Sequence, residues 1–315
     1  MSKRQLTIFC SSGLDDAAKA LLVEETSEYR LSTEADDCAQ ADIIFGQVDP
    51  QKIIESTQLK WIHITSAGYT RYDTEEIRRV LRERNIAFSN SSHVYDAPCA
   101  QHVLAMMMAD ARQLLPCYET QRTNRDWPSG ARRRQCYLLN GQTLLLLGMG
   151  AIAQYLIELL QPFEMQIVAV RRSGKPYDGI EVVSERELNE VLPRADHIVN
   201  VLPESSSTIG FMDAEKFAKI KRGAKFYNVG RGKTVDQNAL IEALHSGQLG
   251  AAYLDVTDPE PLPPGHPLWT TDNCYITPHS AGGHQNEYQR IVQHFVRNLR
   301  AFEAGEPLRD CVFKS

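Results

Sequence analysis

Small residues follow a Gly-x-Gly-x-x-Ala pattern from Gly148 through Gly150 to Ala153. A threonine and four leucines precede them and predict a buried strand, and an amphipathic stretch after them predicts a helix. The first glycine permits a tight turn, the second lets the backbone approach a pyrophosphate, and the small third residue lets the helix pack on the strand. Amides of the first helical turn, including those of Ala151 and Ile152, would then face the anion. The pattern predicts a dinucleotide site, and the alternative is a turn that binds nothing.

The choice of dinucleotide depends on the ends of the next strands. About 20 residues after such a turn, NAD-binding chains carry an acidic residue for the ribose diol. Here the second strand is followed by Arg171, Arg172 and Ser173, with no acid among them. A guanidinium pairs with a 2′-phosphate that an acid would repel, so the pattern favours NADP(H), with NAD(H) possible. The alternative is that these arginines are solvated loop charges. Leu202 and Pro203, where the third strand stops, are further candidate cofactor contacts.

Polar residues also follow three later predicted strands. Arg231 lies between two glycines, Asp255 and Glu260 lie in one proline-rich segment, and His279 follows a Thr-Pro pair. Together with the glycine turn, these segments resemble the D-isomer-specific 2-hydroxyacid dehydrogenase family, and more narrowly its NADP-using glyoxylate/hydroxypyruvate reductase-like members. The resemblance covers essentially the whole chain and is strongest over residues 144–282. It implies that Arg231 is the catalytic arginine, Glu260 the catalytic glutamate and His279 the general acid/base, and that Asp255 binds the nicotinamide carboxamide.

The chemistry of these side chains fits that resemblance. Reduction of a 2-keto acid needs a hydride at the carbonyl carbon and a proton at the oxygen, which becomes alkoxide-like. His279 would donate the proton, Glu260 would hold the imidazole ring, and Arg231 would bind the carboxylate and polarise the carbonyl. Considered one at a time, each of these residues also has an ordinary interpretation. His279 would be a capped or surface histidine, Glu260 a solvated loop acid, and Arg231 a loop charge. We therefore expect a small 2-keto acid to be reduced to a D-2-hydroxy acid.

A turn near the start of the chain is the candidate substrate loop. The resemblance places the family's substrate loop at Ser66-Ala67-Gly68-Tyr69-Thr70. Many relatives carry a small aliphatic residue and Asp at the last two of these positions. Amides of Ala67, Gly68 and Tyr69 could hold a carboxylate as a small anion nest. The alternative is a strand-to-helix turn that needs Gly68 for its backbone. The altered residues leave the identity of the keto acid open.

Strand and helix patterns alternate before residue 90 and again from Thr143, which predicts parallel sheets covered by helices. The resemblance implies an α/β fold of two doubly wound parallel-sheet domains, with a Rossmann nucleotide domain inserted into a flavodoxin-like substrate domain. We place the substrate domain at residues 1–100 and 285–315 and the nucleotide domain at 101–284. Pro98 to Leu115 predicts one long, largely apolar helix, which is either a connector between the domains or a helix of the core. Arg122 to Arg134 predicts an extended arm or loop.

Composition narrows the class of protein. The 315 residues carry a net charge of −6, which argues against a nucleic-acid partner. No apolar run approaches the roughly 20 residues of a membrane helix, and the first residues lack the pattern of a secretory signal. The seven cysteines are scattered without Cys-x-x-Cys, which favours reduced thiols and a cytoplasmic location. We expect no metal site, because no His, Cys or Asp cluster has ligand spacing. The resemblance implies a homodimer.

Two rival functions remain open at this point. One is oxidation of formate or phosphite on the same fold. Formate oxidation needs no proton transfer, and such relatives lack the pair that corresponds to Glu260 and His279. The other is a non-enzymatic, nucleotide-sensing corepressor-like protein, which needs a peptide-docking groove. Turnover of a panel of 2-keto acids separates these functions from the reductase.

Overall fold

The structure of the protein is a computed structural model that describes residues 5–172 and 174–313. The chain divides into two compact units. The first unit contains residues up to Tyr95 and from Gly283 onward, and the second unit contains Asp96–Gly282. The assignment of these units to substrate and nucleotide remains a prediction.

The first unit is built on a parallel sheet that has five strands within the described residues, in the order β2-β1-β3-β4-β5. Its strands are β1 (Thr7–Cys10), β2 (Arg30–Ser32), β3 (Ile43–Phe45), β4 (Trp61–His63) and β5 (Ala87–Ser89). This order is the flavodoxin-like one. Strands β3 and β4 are buried along their whole length, because helices cover both faces of a doubly wound sheet.

The second unit is built on a parallel sheet of seven strands among the residues described, in the order β12-β11-β10-β9-β6-β7-β8. Its strands are β6 (Thr143–Leu147), β7 (Gln166–Val170), β8 (Glu181–Val183), β9 (His197–Asn200), β10 (Ala224–Asn228), β11 (Leu249–Leu254) and β12 (Cys274–Ile276). The order reverses between β6 and β9, which is the Rossmann arrangement. Both sheets confirm the expected α/β fold class.

Helices cover these sheets, and several begin at a side-chain cap. They are α1 (Asp16–Glu25), α2 (Pro50–Glu55), α3 (Glu75–Glu83), α4 (Ser92–Ala111), α5 (Leu114–Thr123), α6 (Ser129–Gln135), α7 (Ala151–Leu160), α8 (Leu188–Val191), α9 (Ala214–Lys219), α10 (Gln237–His245) and α11 (Glu287–Ala304). Asp15, Thr74 and Asp236 accept hydrogen bonds from amides of the helices that follow them. No helix in the described ranges has the length and apolarity needed to cross a bilayer.

Two local predictions were wrong, and two strands were missed. The long helix α4 begins at Ser92, ahead of the expected start at Pro98, and ends at Ala111. The expected loop over residues 122–134 contains the end of α5 and most of α6, because its arginines and its alanine are good helix formers. The two short edge strands β2 and β8 were not expected. Each has three residues and a partly exposed side, so neither shows a clear apolar pattern.

Candidate active site

The glycine turn joins β6 to α7 in the second unit. Gly148 has φ +104°, and a Cβ there would lie 3.2 Å from Cγ2 of Val201. Gly150 caps α7 and supplies no side chain to its first turn, and Ala153 is fully buried against the sheet. The helix N-terminus therefore keeps amide donors for an anion, as a pyrophosphate site requires. Ala151 and Ile152 are the first two residues of the helix.

The two arginines lie just past the end of β7. Arg171 is half-buried, its amide donates to the carbonyl of Val183 over 3.0 Å, and its Nη1 lies 3.4 Å from the carbonyl of Lys175. Arg172 is exposed and donates from Nη2 to Oγ of Ser207 over 3.1 Å. Both guanidinium groups are thus close to solvent at the carboxyl edge of the sheet. The third residue of the predicted set, Ser173, lies outside the described residues.

Leu202 and Pro203 follow β9 at the same edge of the sheet. The amide of Leu202 donates to Oδ1 of Asn200 over 3.3 Å. The carbonyl of Pro203 accepts from Oγ1 of Thr208 over 2.6 Å. These contacts fix the loop that begins where β9 stops, next to the glycine turn.

Arg231 lies in a turn that is held at several points. Its carbonyl accepts from Nδ2 of Asn228 over 3.2 Å and from Oγ1 of Thr234 over 2.6 Å. Its Nη1 donates to the carbonyl of Gly230 over 2.6 Å. A Cβ on Gly232 would lie 1.9 Å from the carbonyl oxygen of Thr257, so only glycine permits this close approach. The turn thereby packs directly against the segment that carries Glu260.

Glu260 and His279 form a hydrogen-bonded pair. Nδ1 of His279 lies 2.7 Å from Oε2 of Glu260, and Oε1 of Glu260 accepts from the amide of Thr257 over 3.0 Å. The His279 side chain is 53% exposed, so its ring is fixed on one side and accessible on the other. With the carboxylate on Nδ1, the Nε2 atom is the ring nitrogen that remains available to another group.

Asp255 holds the backbone that carries His279. It is 4% exposed, and its carboxylate accepts from Oγ1 of Thr277 over 2.6 Å and from the amides of Ser280 and Ala281 over 2.9 and 3.0 Å. Its carbonyl accepts from the amide of His279 over 2.8 Å. His279 has φ +51°, a conformation that non-glycine residues adopt only where their surroundings impose it. The contacts of Asp255 supply that restraint.

Two further side chains lie in the electrostatic field of Asp255. Burial lowers the pKa of His102, which the nearby Asp255 charge partly offsets, and its Nε2 lies 3.3 Å from Oγ1 of Thr277. Burial raises the pKa of the Cys99 thiol to about 12, and the Asp255 charge adds to this rise. Cys99 is therefore a protonated packing residue, as its lack of a sequence motif predicts.

The candidate substrate loop lies in the first unit, after β4. Its carbonyls are held by side chains: that of Ala67 accepts from Nδ2 of Asn90 over 2.7 Å, and that of Gly68 accepts from Oγ of Ser66 over 2.6 Å. Within residues 5–172 and 174–313, the amides of Ala67 and Gly68 have no hydrogen-bond acceptor. A turn with fixed carbonyls and free amides has the character of an anion nest.

Sequence reasoning missed the residues that support these groups. Nδ2 of Asn200 donates to Oδ1 of Asn228 over 3.0 Å and to Oγ1 of Thr234 over 2.7 Å, and all three are buried. Oδ1 of Asn228 also accepts from the amide of Gly230. Asparagine at the end of an otherwise apolar strand is the signal that could have identified this network, because a buried amide needs partners.

The comparisons with known proteins agree with this architecture. Residues 104–281 match the family model of the D-isomer specific 2-hydroxyacid dehydrogenase, NAD binding domain. A glyoxylate reductase/hydroxypyruvate reductase from Homo sapiens is 32% identical over 253 residues, which cover 79% of this chain and 76% of that protein. The chain belongs to the D-isomer specific 2-hydroxyacid dehydrogenase family. The resemblance inferred from its motifs is thereby confirmed.

Solved structures match over nearly the whole chain. A D-isomer specific 2-hydroxyacid dehydrogenase family protein from Aeromonas salmonicida is 30% identical with a TM-score of 0.77, and the match covers 98% of this chain and 99% of that one. A D-isomer specific 2-hydroxyacid dehydrogenase from Xanthobacter autotrophicus, in complex with NADPH and MES, is 26% identical with a TM-score of 0.83 and 98% coverage of both chains. The protein is an NAD(P)-dependent oxidoreductase that acts on the CH–OH group of donors.

Proposed function

We propose that this enzyme reduces a small 2-keto acid, of the glyoxylate or hydroxypyruvate kind, to a D-2-hydroxy acid with NADPH. The observation that carries the proposal is the Glu260–His279 pair, 2.7 Å apart, with the opposite side of the ring accessible. Oxidation of formate to CO₂ transfers a hydride and no proton, so a formate oxidase has no use for such a pair. The relative from Homo sapiens named above carries the same activity in its name.

The bound nicotinamide supplies the hydride, and the residues of this chain supply the proton and the charge. Glu260 accepts a hydrogen bond from Nδ1 of His279, which fixes the ring and stabilises its imidazolium form. Nε2 of His279 then donates its proton to the substrate oxygen as negative charge develops there. Arg231 binds the carboxylate and lowers the cost of that charge. In the direction of oxidation, His279 is the base.

NADP(H) is the proposed cofactor, with NAD(H) as the weaker alternative. The glycine cap of α7 leaves the first turn open for the pyrophosphate, and Gly148, Gly150, Ala151 and Ile152 line that turn. Arg171 and Arg172 follow β7 with no acid beside them, which suits a 2′-phosphate. Leu202, Pro203 and Asp255 are the other proposed contacts, Asp255 through the carboxamide. The carboxylate of Asp255 already holds the segment 277–281, so it would both hold that segment and bind the carboxamide.

The loop in the first unit is the proposed binding segment for the substrate carboxylate. The free amides of Ala67 and Gly68 support this role, and Tyr69 completes the proposed set with Arg231. Loop amides bind an anion through charge-assisted hydrogen bonds, which select for a carboxylate next to the reacting carbon.

The test is the consumption of NADPH and NADH with glyoxylate, hydroxypyruvate, pyruvate and phenylpyruvate. We expect turnover with the small keto acids and a higher kcat/KM with NADPH than with NADH. No turnover with any keto acid would contradict the reductase and favour a nucleotide-sensing protein. Turnover with formate or phosphite instead would favour the other alternative. A clear preference for NADH would contradict the proposed cofactor but not the proposed reduction.

We also propose a homodimer in the cytoplasm, on the family likeness and on cysteines that are scattered along the sequence without a Cys-x-x-Cys motif. Light scattering at micromolar concentration tests the assembly, and a monomer there would contradict it.

A further inference from the structure

The segment 309–313 runs along the edge strand of the first sheet. Its backbone pairs with residues that end β5: the amide of Asn90 donates to the carbonyl of Asp310 over 3.1 Å, and the amide of Val312 donates to the carbonyl of Phe88 over 3.0 Å. Ser89 and Cys311 form an antiparallel bridge between them. The segment therefore covers an edge that would otherwise expose unpaired backbone groups.

The start of this segment is anchored firmly. The Asp310 carboxylate accepts from the amide of His93 over 2.9 Å, contacts the His93 ring, and lies 3.1 Å from Nε2 of His294. The side chain of Asn298 donates to the carbonyl of Arg309 over 3.0 Å and accepts from its amide over 2.9 Å. These contacts attach the segment to α4 and α11. They fix the position from which residues 311–313 continue.

The other end of the segment meets the candidate substrate loop. The ring of Phe313 lies edge-on to Tyr69, with 5.7 Å between ring centroids and 85° between ring planes. Phe313 also contacts Phe88, at 5.2 Å between centroids, and the guanidinium of Arg78 lies 5.7 Å from its ring. Tyr69 and Phe313 both pack on the same core cluster of the first unit.

A second link joins the segment to the loop through the backbone. The amide of Asn90 donates to Asp310, while its side-chain Nδ2 holds the carbonyl of Ala67. The loop is thus held at Ala67 by a residue that pairs with the segment, and at Tyr69 by the ring of Phe313. The amides of Ala67 and Gly68 lie between these two fixed points.

We propose that Phe313 is a positioning residue that holds the Tyr69 side of the loop, so that the loop amides keep the geometry needed to bind the substrate carboxylate. The proposal rests on the proposed function, which assigns the loop to that carboxylate. Such an interaction is made equally in the ground state and the transition state, so its loss raises KM and leaves kcat nearly unchanged.

Steady-state kinetics of three variants test the proposal. We expect Phe313→Ala to raise KM for the keto acid roughly three- to tenfold, the range for an aromatic pair, with KM for NADPH unchanged. Phe313→Tyr keeps the ring and should retain the KM of the parent enzyme. Phe302→Ala is the matched control, because Phe302 is also half-buried in the first unit and stacks on Trp61 at 5.4 Å, away from the loop. An unchanged KM in Phe313→Ala, or an equal rise in Phe302→Ala, would overturn the proposal.

Hydrogen exchange of the loop gives a readout that does not depend on activity. We expect peptides covering residues 64–72 to exchange faster in Phe313→Ala than in the parent protein, Phe313→Tyr or Phe302→Ala. Equal exchange in Phe313→Ala and the parent would overturn the proposal even if KM rose. If the parent enzyme reduced no keto acid, the proposed function would fail, and the exchange experiment would still decide whether Phe313 positions the loop.

Discussion

At the scale of single residues, the proposed reduction depends on which nitrogen of His279 faces the substrate. Oε2 of Glu260 lies 2.7 Å from Nδ1, so in the proposed reduction Nε2 carries the transferred proton. The family resemblance of the surrounding motifs predicted this pair. The restraint on the His279 backbone could not be predicted, because it comes from contacts of Asp255 that only the folded loop creates.

His279→Ala removes the proton donor and should lower kcat by about 10²- to 10⁴-fold, the usual contribution of a general acid. NADPH binding should persist, because the glycine turn and the arginines are unaltered. Initial rates and fluorescence titration with NADPH measure the two effects. His245→Ala, an exposed histidine at the end of α10, is the control and should keep full activity. Near-parental kcat in His279→Ala would refute the assignment.

The cofactor preference also belongs to single residues. Arg171→Ala should raise KM for NADPH roughly ten- to hundredfold, because a charge-assisted hydrogen bond to the 2′-phosphate is lost. KM for NADH should hardly change, since that cofactor has no such phosphate. Arg194→Ala is the matched control, because Arg194 is exposed and paired with Glu181 on the same sheet. An equal rise of both KM values in Arg171→Ala would contradict a phosphate-specific role.

At the scale of elements, the strands and helices that position the site could be predicted more fully than the loops. The bounds of β6 and β7 match the prediction because their apolar runs are bounded by clear turn signals. Strands β2 and β8 were missed because each begins with an exposed, charged residue and has only two others. Helix α6 was missed because its polar sequence has no apolar period. The partners of Asn228 were also missed, because they come from strands distant in the sequence.

The 277–281 loop is the element on which Asp255 acts. Asp255→Asn replaces one acceptor oxygen by a donor that faces the amide of Ala281, so the loop should lose part of its restraint. We expect lower kcat and a free energy of unfolding reduced by about 1–3 kcal/mol. Thermal denaturation and initial rates measure both. Asp236→Asn, which caps α10 away from this loop, should leave kcat unchanged. Unaltered kcat in Asp255→Asn would show that the loop needs no such anchor.

At the scale of the whole molecule, a buried histidine ties stability to pH. His197 contacts Tyr227 and Gln142 at 3.0 and 2.6 Å, and burial lowers its pKa from 6.5 to about 4. The unfolded chain takes up a proton near its ordinary pKa while the folded protein does not, so the folded state loses stability as pH falls from about 6.5 to about 4. The loss from this group is on the order of 3 kcal/mol.

Urea unfolding at a series of pH values measures this dependence. His197→Gln should flatten the dependence across that window, because the variant has no proton to take up on unfolding. The exposed His245→Gln should leave it unaltered. The same slope in His197→Gln and the parent would show that His197 is not the group responsible.

The central claim is that this oxidoreductase delivers hydride from NADPH to a small 2-keto acid and leaves a D-configured product. The most direct measurement is chiral analysis of the product formed from hydroxypyruvate and NADPH by the parent enzyme. We expect D-glycerate, formed in step with NADPH consumption and about 10²- to 10⁴-fold more slowly with His279→Ala. L-glycerate, or no glycerate from an enzyme that binds NADPH, would contradict it.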